Sequence, residues 1–182
     1  MLIVEGPDGA GKSTLIGKLQ SLTGWPIAAR VVSKTTEAMT DLRVWTERNV
    51  RLGFQELIFD RHRLISDPIY GPIMRMKSER PETYDYRWYS EVVQKFWAAQ
   101  PLVIICLPPF KVVHKNLMDD PDNKAVYPYI DRIYRGYVSL TAQMMTLDRM
   151  IYVYDYTDPD DGLVFDLVKV KMHMRDRQEI QK

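Results

Sequence analysis

Apolar positions along the chain fall into two alternating rhythms. Short unbroken apolar runs stand at Leu2 to Val4, Ala28 to Val32, Leu57 to Phe59, Leu102 to Leu107 and Met150 to Tyr154, and runs of that length predict strands buried on both faces. Between them the spacing lengthens to three and four residues, the mark of helices with one apolar side. Leu15, Leu19 and Leu22 share one such side, and Met39, Leu42, Trp45 and Leu52 share another that Gly53 could close. Tyr84, Trp88, Val92 and Phe96 form a third stripe with Thr83 placed to cap it. A further helix is expected from about Pro128 to Leu147, with Ile130, Ile133, Tyr137, Leu140 and Met144 inward. The last begins behind Asp158, Asp160 and Asp161, where acidic residues suit a helix N-terminus, and runs toward His173. Alternation of this kind predicts an α/β domain with a parallel sheet covered on both faces. Two Pro-containing stretches, Ser66 to Pro81 and Pro108 to Pro128, interrupt the rhythm and are expected as insertions over the sheet edge. Ligands of an open parallel sheet bind beyond the carboxyl ends of its strands, where both insertions begin.

The chain has 182 residues, enough for one sizeable core, and no repeat or low-complexity tract divides it. A single domain over 1–182 is therefore expected. Twenty-five Lys and Arg stand against 24 Asp and Glu, a balance that argues against nucleic acid as a partner and requires any phosphate chemistry to use locally placed charge. Cys106 is the one cysteine and sits inside an apolar run, so a buried reduced thiol is expected and a disulfide framework is excluded. No apolar run approaches the roughly 20 residues that cross a bilayer, and no basic leader precedes the first strand. A cytoplasmic location with no membrane partner is expected. His62, His114 and His173 are too dispersed to suggest a metal cluster.

The chemistry concentrates at the first strand-to-helix junction. Gly6 is followed by four residues, Pro7, Asp8, Gly9 and Ala10, and then by Gly11-Lys12-Ser13-Thr14, the P-loop pattern in its required context. Residues 6 and 8–14 are the expected contacts of a nucleoside triphosphate, because glycines let backbone N–H groups turn toward phosphate oxygens at a helix N-terminus. Lys12 is expected to bridge the β- and γ-phosphates, and the Ser13 hydroxyl to ligate Mg²⁺. A metal also needs a carboxylate, and Asp60 closes the apolar strand Leu57-Ile-Phe as a candidate Mg²⁺ partner. Arg61 follows at once, placed to reach phosphates between donor and acceptor. Tyr70, just beyond, is the aromatic residue best placed to stack on an acceptor base.

Gly-Pro-Asp-Gly-Ala-Gly-Lys-Ser-Thr at 6–14, Asp60-Arg61-His62, and Tyr134-Arg135-Gly136-Tyr137 together resemble the thymidylate kinase family. That resemblance implies a P-loop kinase core of five parallel strands in the order 2-3-1-4-5, an ATP donor with Mg²⁺, and a mobile lid after the fourth strand, over about 111–124. It implies that Asp8 faces the acceptor sugar or holds Arg61, that Arg61 contacts the acceptor phosphate and the migrating group, and that Asp60 orders the metal. Lys115, Lys124, Arg132 and Arg135 become candidate cations for the transition state, with Arg132 and Arg135 foremost. After the second strand the chain reads Arg30-Val-Val-Ser-Lys-Thr-Thr-Glu37, where that family has Arg-Glu-Pro-Gly.

Asp60-Arg61 followed by Ser66-Asp67-Pro-Ile-Tyr70 also resembles the Glu-Arg-Ser element and downstream Ser-Asp of deoxynucleoside kinases, whose acceptor is a sugar hydroxyl. In that reading Glu37 is the residue near the place of the general base. A GTPase-like switch would carry Asp-x-x-Gly after the third strand and Asn-Lys-x-Asp after a later one; Asp60-Arg-His-Arg63 lacks that Gly, and Asp122-Asn-Lys-Ala125 is not followed by the final Asp. A kinase of modified bases within DNA would keep the donor site, but the neutral charge balance argues against it. The leading expectation is an ATP-dependent kinase of a (deoxy)nucleoside monophosphate, with a deoxynucleoside kinase as the alternative. The sequence leaves a homodimer open.

Overall fold

The structure, a computed structural model, describes residues 1–28, 56–74, 86–120, 124–147 and 149–179, with the backbone alone at 86–90, 92 and 174–179. Its centre is a parallel sheet. Strand β1, Leu2–Glu5, is buried along its whole length and pairs with β2, Ile58–Asp60, on one side and with β3, Leu102–Cys106, on the other. Strand β4, Ile151–Tyr154, lies beyond β3.

The sheet differs from the expectation of five strands in the order 2-3-1-4-5. Among the described residues it has four strands, ordered β2-β1-β3-β4. The expected strand that is missing from this set is Ala28 to Val32, of which residues 29–32 lie outside the described residues. Its N-terminal approach touches the sheet through one parallel bridge, Ile27 to Ile58, and through the Ala28 N–H donating to the Ile58 carbonyl at 2.8 Å.

Alternate residues of each strand feed two cores, as the period of two requires. Leu2, Val4, Leu102, Ile104 and Cys106 face one layer, where they meet Leu15, Ile16 and Leu19 of helix α1, Lys12–Thr23. The same layer takes Val113 and Leu117 of helix α4, Phe110–Asp119, and Val164 and Val168 of helix α6, Leu163–Glu179. Ile3, Val103 and Ile105 face the other layer. There they meet Ile65, Ile69 and Ile73 of helix α2, Arg63–Met74, Phe96 of helix α3, Tyr86–Ala98, and Ile133, Tyr137 and Met144 of helix α5, Ile130–Met145.

Of the helical stripes read from the sequence, Leu15 and Leu19 of α1, Phe96 of α3 and most of the α5 set pack inward as expected, while the side chains of Trp88 and Val92 lie outside the described residues. Leu22 does not pack inward: it is 37% exposed, because the buried face of α1 centres on Leu15, Ile16 and Leu19 and the helix stops at Gly24. In α5 the expected inward set is buried apart from Leu140, which is partly so. That helix starts at Ile130, behind a single 3-10 turn at Tyr127–Tyr129. The stripe from Met39 to Leu52, its closing Gly53, and Thr83 and Tyr84 lie outside the described residues.

Of the two stretches expected as insertions, 66–74 and 110–119 are helical, and 75–81 and 121–123 lie outside the described residues. Helix α2 carries Pro68 and Pro72 inside it, and each proline removes a donor and costs about 3 kcal/mol. Ile65, Ile69 and Ile73 recur every four residues and are buried, at about 1.5–3 kcal/mol apiece, enough to hold a helix that the prolines would otherwise break. In α4 the prolines do not interrupt at all. Pro108 and Pro109 precede the helix, with Pro109 at its N-cap, and Val113 and Leu117 supply the buried four-residue spacing. Among the described residues no helix is long and apolar enough to cross a membrane.

Candidate nucleotide site at the β1–α1 turn

Strand β1 ends at Glu5, and the chain turns through residues 6–11 before α1 begins at Lys12. Gly6 has φ 136°, and a Cβ there would come within 2.4 Å of the Cys106 carbonyl oxygen on β3. Gly9 has φ 79°, and a Cβ would lie 2.8 Å from the Val113 carbonyl oxygen on α4. No other residue type fits either position. The loop is therefore clamped between the sheet and α4, and Asn116 of α4 adds a bond from Nδ2 to the Gly9 carbonyl at 2.8 Å. The same amide nitrogen donates to the Tyr156 hydroxyl at 2.7 Å, and the Tyr156 ring lies against Gly11.

Helix α1 opens at Gly11 with no side-chain cap and no acidic residue in its first turn. Its leading N–H groups and the positive end of its dipole are thus left for an anion. Lys12 is buried, with Nζ donating to the Pro7 carbonyl at 2.6 Å. Burial, and then the nearby Arg61 charge, depress its pKa to about 8. Ser13 and Thr14 sit exposed on the first turn, and Ala10 is buried beneath the loop.

Beside Lys12, near enough for its charge to act on it, stands a second cation. Arg61 follows β2 directly, and its backbone is left-handed at φ 65°. Its Nη2 donates to Asp8 Oδ1 at 2.6 Å, to the Tyr70 hydroxyl at 2.8 Å and to the Gly6 carbonyl at 3.3 Å. Tyr70 in turn donates to the other Asp8 oxygen at 2.8 Å, and the guanidinium lies 4.7 Å from the centre of the Tyr70 ring. Burial opposes ionisation of Asp8, but Arg61 and Lys12 outweigh it and hold its pKa below the usual carboxylate range. Burial likewise opposes the Arg61 charge, yet Tyr70 and Asp8 keep that group firmly protonated. Tyr70, pushed up by burial first, stays a neutral donor.

Beneath this cluster lies a carboxylate that the sequence reading passed over. Glu5 has no exposed surface. Its Oε1 accepts the His62 N–H at 2.6 Å, and its Oε2 accepts the Tyr137 hydroxyl at 2.8 Å. Burial raises its pKa to about 7 against the pull of these donors and of Arg61 and Lys12. His62, also buried, stacks on Phe96 with ring centres 4.6 Å apart and meets Phe59 edge-on at 5.4 Å; burial alone drives its pKa to about 3. Cys106 is a free buried thiol, pushed up to about 12 chiefly by burial. A charged residue closing an apolar strand just before a glycine was the available signal for Glu5. Nothing local marked Asn116 or Tyr156, which meet at the loop only through the fold.

The structure thus brings Asp8, Lys12, Arg61 and Tyr70 together at the glycine loop. Asp60 ends β2 in register with Val4, and its charge acts on Lys12. Arg135 is bound to Asp131 one turn back on the surface of α5 at 3.2 Å, and Arg132, Lys115 and Lys124 are exposed. Glu37 lies outside the described residues. Most of the expected lid is helix α4, and residues 121–123 lie outside the described set. No group of three or more His, Cys, Asp or Glu side chains gathers to hold a metal among the described residues. Mg²⁺ usually takes one or two protein ligands and completes its shell with water and substrate phosphates. A Ser13 hydroxyl on an exposed first turn and an Asp60 carboxylate at a strand end fit an ion held in that way.

No protein-family model matches this chain, and no curated protein does. Solved structures match its fold. The YorR protein of Bacillus subtilis, determined in complex with phosphorylated GDP, is similar at a TM-score of 0.65 and 22% identity, covering 94% of this chain and 97% of its own. Deoxyadenosine kinase from M. mycoides with bound dATP is similar at 0.63 and 17%, covering 94% and 98%. The same enzyme with the products dCMP and dCDP is similar at 0.59 and 17%, covering 95% and 98%. The chain shares with these proteins an α/β fold built on a parallel sheet.

Proposed function

We propose that this chain is an ATP-dependent kinase that moves a γ-phosphoryl group onto the phosphate of a (deoxy)nucleoside monophosphate. The observation that carries the reading is the Arg61 guanidinium, fixed by Asp8 and Tyr70 at the glycine loop near Lys12. A permanent planar cation in that place can take an acceptor phosphate oxygen, in paired bonds once Nη2 leaves one of its present acceptors. The uncapped N-terminus of α1 and the Lys12 ammonium then bind the triphosphate. Lys12 leaves the Pro7 carbonyl and neutralises the β- and γ-oxygens, while Arg61 follows the charge as it spreads over the migrating group. Mg²⁺, held by Ser13 and Asp60, would supply further neutralisation of phosphate oxygens when bound.

The state of Asp8 argues against Asp8 itself as the base that a hydroxyl acceptor would need. A sugar hydroxyl needs a base to take its proton, whereas a monophosphate oxygen is already an anion. Asp8 accepts bonds from both Arg61 and Tyr70 and its pKa is lowered, which makes it a poor base. Similarity in fold to deoxyadenosine kinase favours a second reading, a deoxynucleoside kinase in which Glu37 is the base.

The deciding test incubates the protein with ATP, Mg²⁺ and each common nucleoside or nucleoside monophosphate, reading ADP release. A monophosphate is the expected best acceptor. With it, Arg61→Lys raises the acceptor KM and lowers kcat together, because the fork that binds also stabilises the transferring group. A nucleoside as best acceptor, with a severe Glu37→Gln defect and an acceptor KM unmoved by Arg61→Lys, overturns the monophosphate reading for the second one.

A further inference from the structure

Arg61 is the residue on which the proposed transfer turns, yet it stands in a backbone conformation that non-glycine residues seldom adopt, φ 65°. Such a conformation persists where the surroundings over-determine it. Two neighbouring residues of β1 do so here. The Arg61 N–H donates to the Val4 carbonyl at 2.9 Å, the last bond that the β1–β2 ladder can offer. The next N–H, that of His62, would pass beyond the ladder, and it is taken by the side chain of Glu5 at 2.6 Å. The two peptide N–H groups on either side of the turn are thereby fixed to consecutive residues of the central strand.

The carboxyl group is itself held. Its second oxygen accepts the Tyr137 hydroxyl from α5, and it is wholly buried. Beyond His62 the chain enters α2 at once: the His62 carbonyl accepts the Ile65 N–H at 2.8 Å and the Ser66 N–H at 3.0 Å. Tyr70 then projects from α2 back to Arg61 and Asp8. Glu5 therefore joins three parts, the end of β1, the turn at Arg61 and helix α5, at the point from which the guanidinium is aimed.

We propose that Glu5 is the positioning residue for Arg61: its buried carboxyl group, anchored on Tyr137 and taking the His62 N–H, sets the left-handed turn that presents the guanidinium to Asp8 and the glycine loop. The inference deepens the kinase reading and rests on it for its catalytic consequence. Its structural content stands separately. Glutamine keeps an oxygen for the His62 N–H, with Tyr137 turning its hydroxyl to accept from the amide. Aspartate is one methylene too short to span both partners.

The test compares wild type, Glu5→Asp, Glu5→Gln, Arg61→Lys and the Glu5→Asp/Arg61→Lys pair. Two readouts are taken, the Nε–H signal of Arg61 in 15N NMR, assigned by its loss in Arg61→Lys, and steady-state transfer from ATP to the best acceptor. Glu5→Asp is expected to shift the Arg61 signal and lower kcat at least tenfold with the ATP KM within twofold. Glu5→Gln is expected to restore the signal and a kcat at least tenfold above that of Glu5→Asp. In the Arg61→Lys background Glu5→Asp should cost less than a further twofold, because its effect passes through Arg61. An Arg61 signal unmoved by Glu5→Asp, or an equal loss in both backgrounds, overturns the proposal. Should Glu5→Asp fail to fold, Tyr137→Phe removes one anchor of the carboxyl while keeping the ring, and an unmoved Arg61 signal there overturns it equally. If wild type turns over no acceptor, the kinase reading falls while the Arg61 signal still decides the positioning role.

Discussion

Lys12 shows how a single side chain is poised by its surroundings. Its ammonium is out of water, beside Arg61, and its pKa falls to about 8, so it is charged at neutral pH and lightly committed to one carbonyl, that of Pro7. Phosphate oxygens offer that ammonium far more than a neutral carbonyl does. Lys12→Ala is expected to leave the circular dichroism spectrum intact and to lower kcat/KM for ATP by about 10²–10³, the scale for losing one preorganised charge at a developing anion. Turnover within threefold of wild type would show that the glycine loop is not the donor site. The residue types at 6–14 and at 60–61 announce this chemistry in the sequence itself. Glu5 and the Asn116–Tyr156 pair do not, because their roles come from partners 57, 132 and 40 positions away.

At the scale of elements, α2 and α5 meet through a glycine. A Cβ at Gly136 would come within 2.8 Å of Ile69 Cγ2, and Tyr70 stands next to Ile69 on the helix that the glycine admits. Gly136→Val should push α2 outward, at about 1–3 kcal/mol of stability for overpacking, and weaken acceptor binding more than ATP binding. Chemical denaturation and separate KM values check both effects, and an ATP KM that rises as much as the acceptor KM would count against α2 as an acceptor-side element. Helix α4 bears on the expected lid. Its Val113 and Leu117 are buried and Asn116 ties it to Gly9, so the helical part of that lid is expected to stay in place. Hydrogen exchange should show 110–119 protected with and without ligands. Protection there that arises only when donor and acceptor are both bound would make the helix part of a lid.

Across the whole molecule, two buried titratable groups shape stability against pH in opposite senses. His62 has a folded pKa of about 3 against an ordinary 6.5, so the unfolded chain binds a proton that the native one refuses, and stability falls as pH drops from 6.5 toward 3. Glu5 has a folded pKa of about 7 against 4.5. The native state keeps a proton that the unfolded chain gives up, and stability falls as pH rises from 4.5 to 7. Where both act, from 4.5 to 6.5, the slopes offset, and a plateau is expected with an acid limb below it owed to His62, which Asp8, its pKa lowered, joins as pH falls below the usual carboxylate range. Urea denaturation across that range checks the plateau, and His62→Phe, whose ring can keep the stack on Phe96, should flatten the acid limb. An acid limb unchanged in His62→Phe would assign it to other groups.

The sequence by itself determined the alternation of strand and helix, the apolar stripes at 15–19 and 130–144, and the glycine loop with its lysine, because these are set by residue type at short, fixed spacing. It did not show the helices at Arg63–Met74 and Phe110–Asp119, where local proline signals were overruled by isoleucine and by Val113 and Leu117 finding a sheet to cover. Only the tertiary structure decided which polar groups meet: Arg61 on Asp8 and Tyr70, Glu5 under His62 and Tyr137, Asn116 across Gly9 and Tyr156. Those pairings join residues distant in the chain. A hydrogen bond depends on position and angle to within fractions of an ångström, and that precision exists only once the two layers have packed on the sheet.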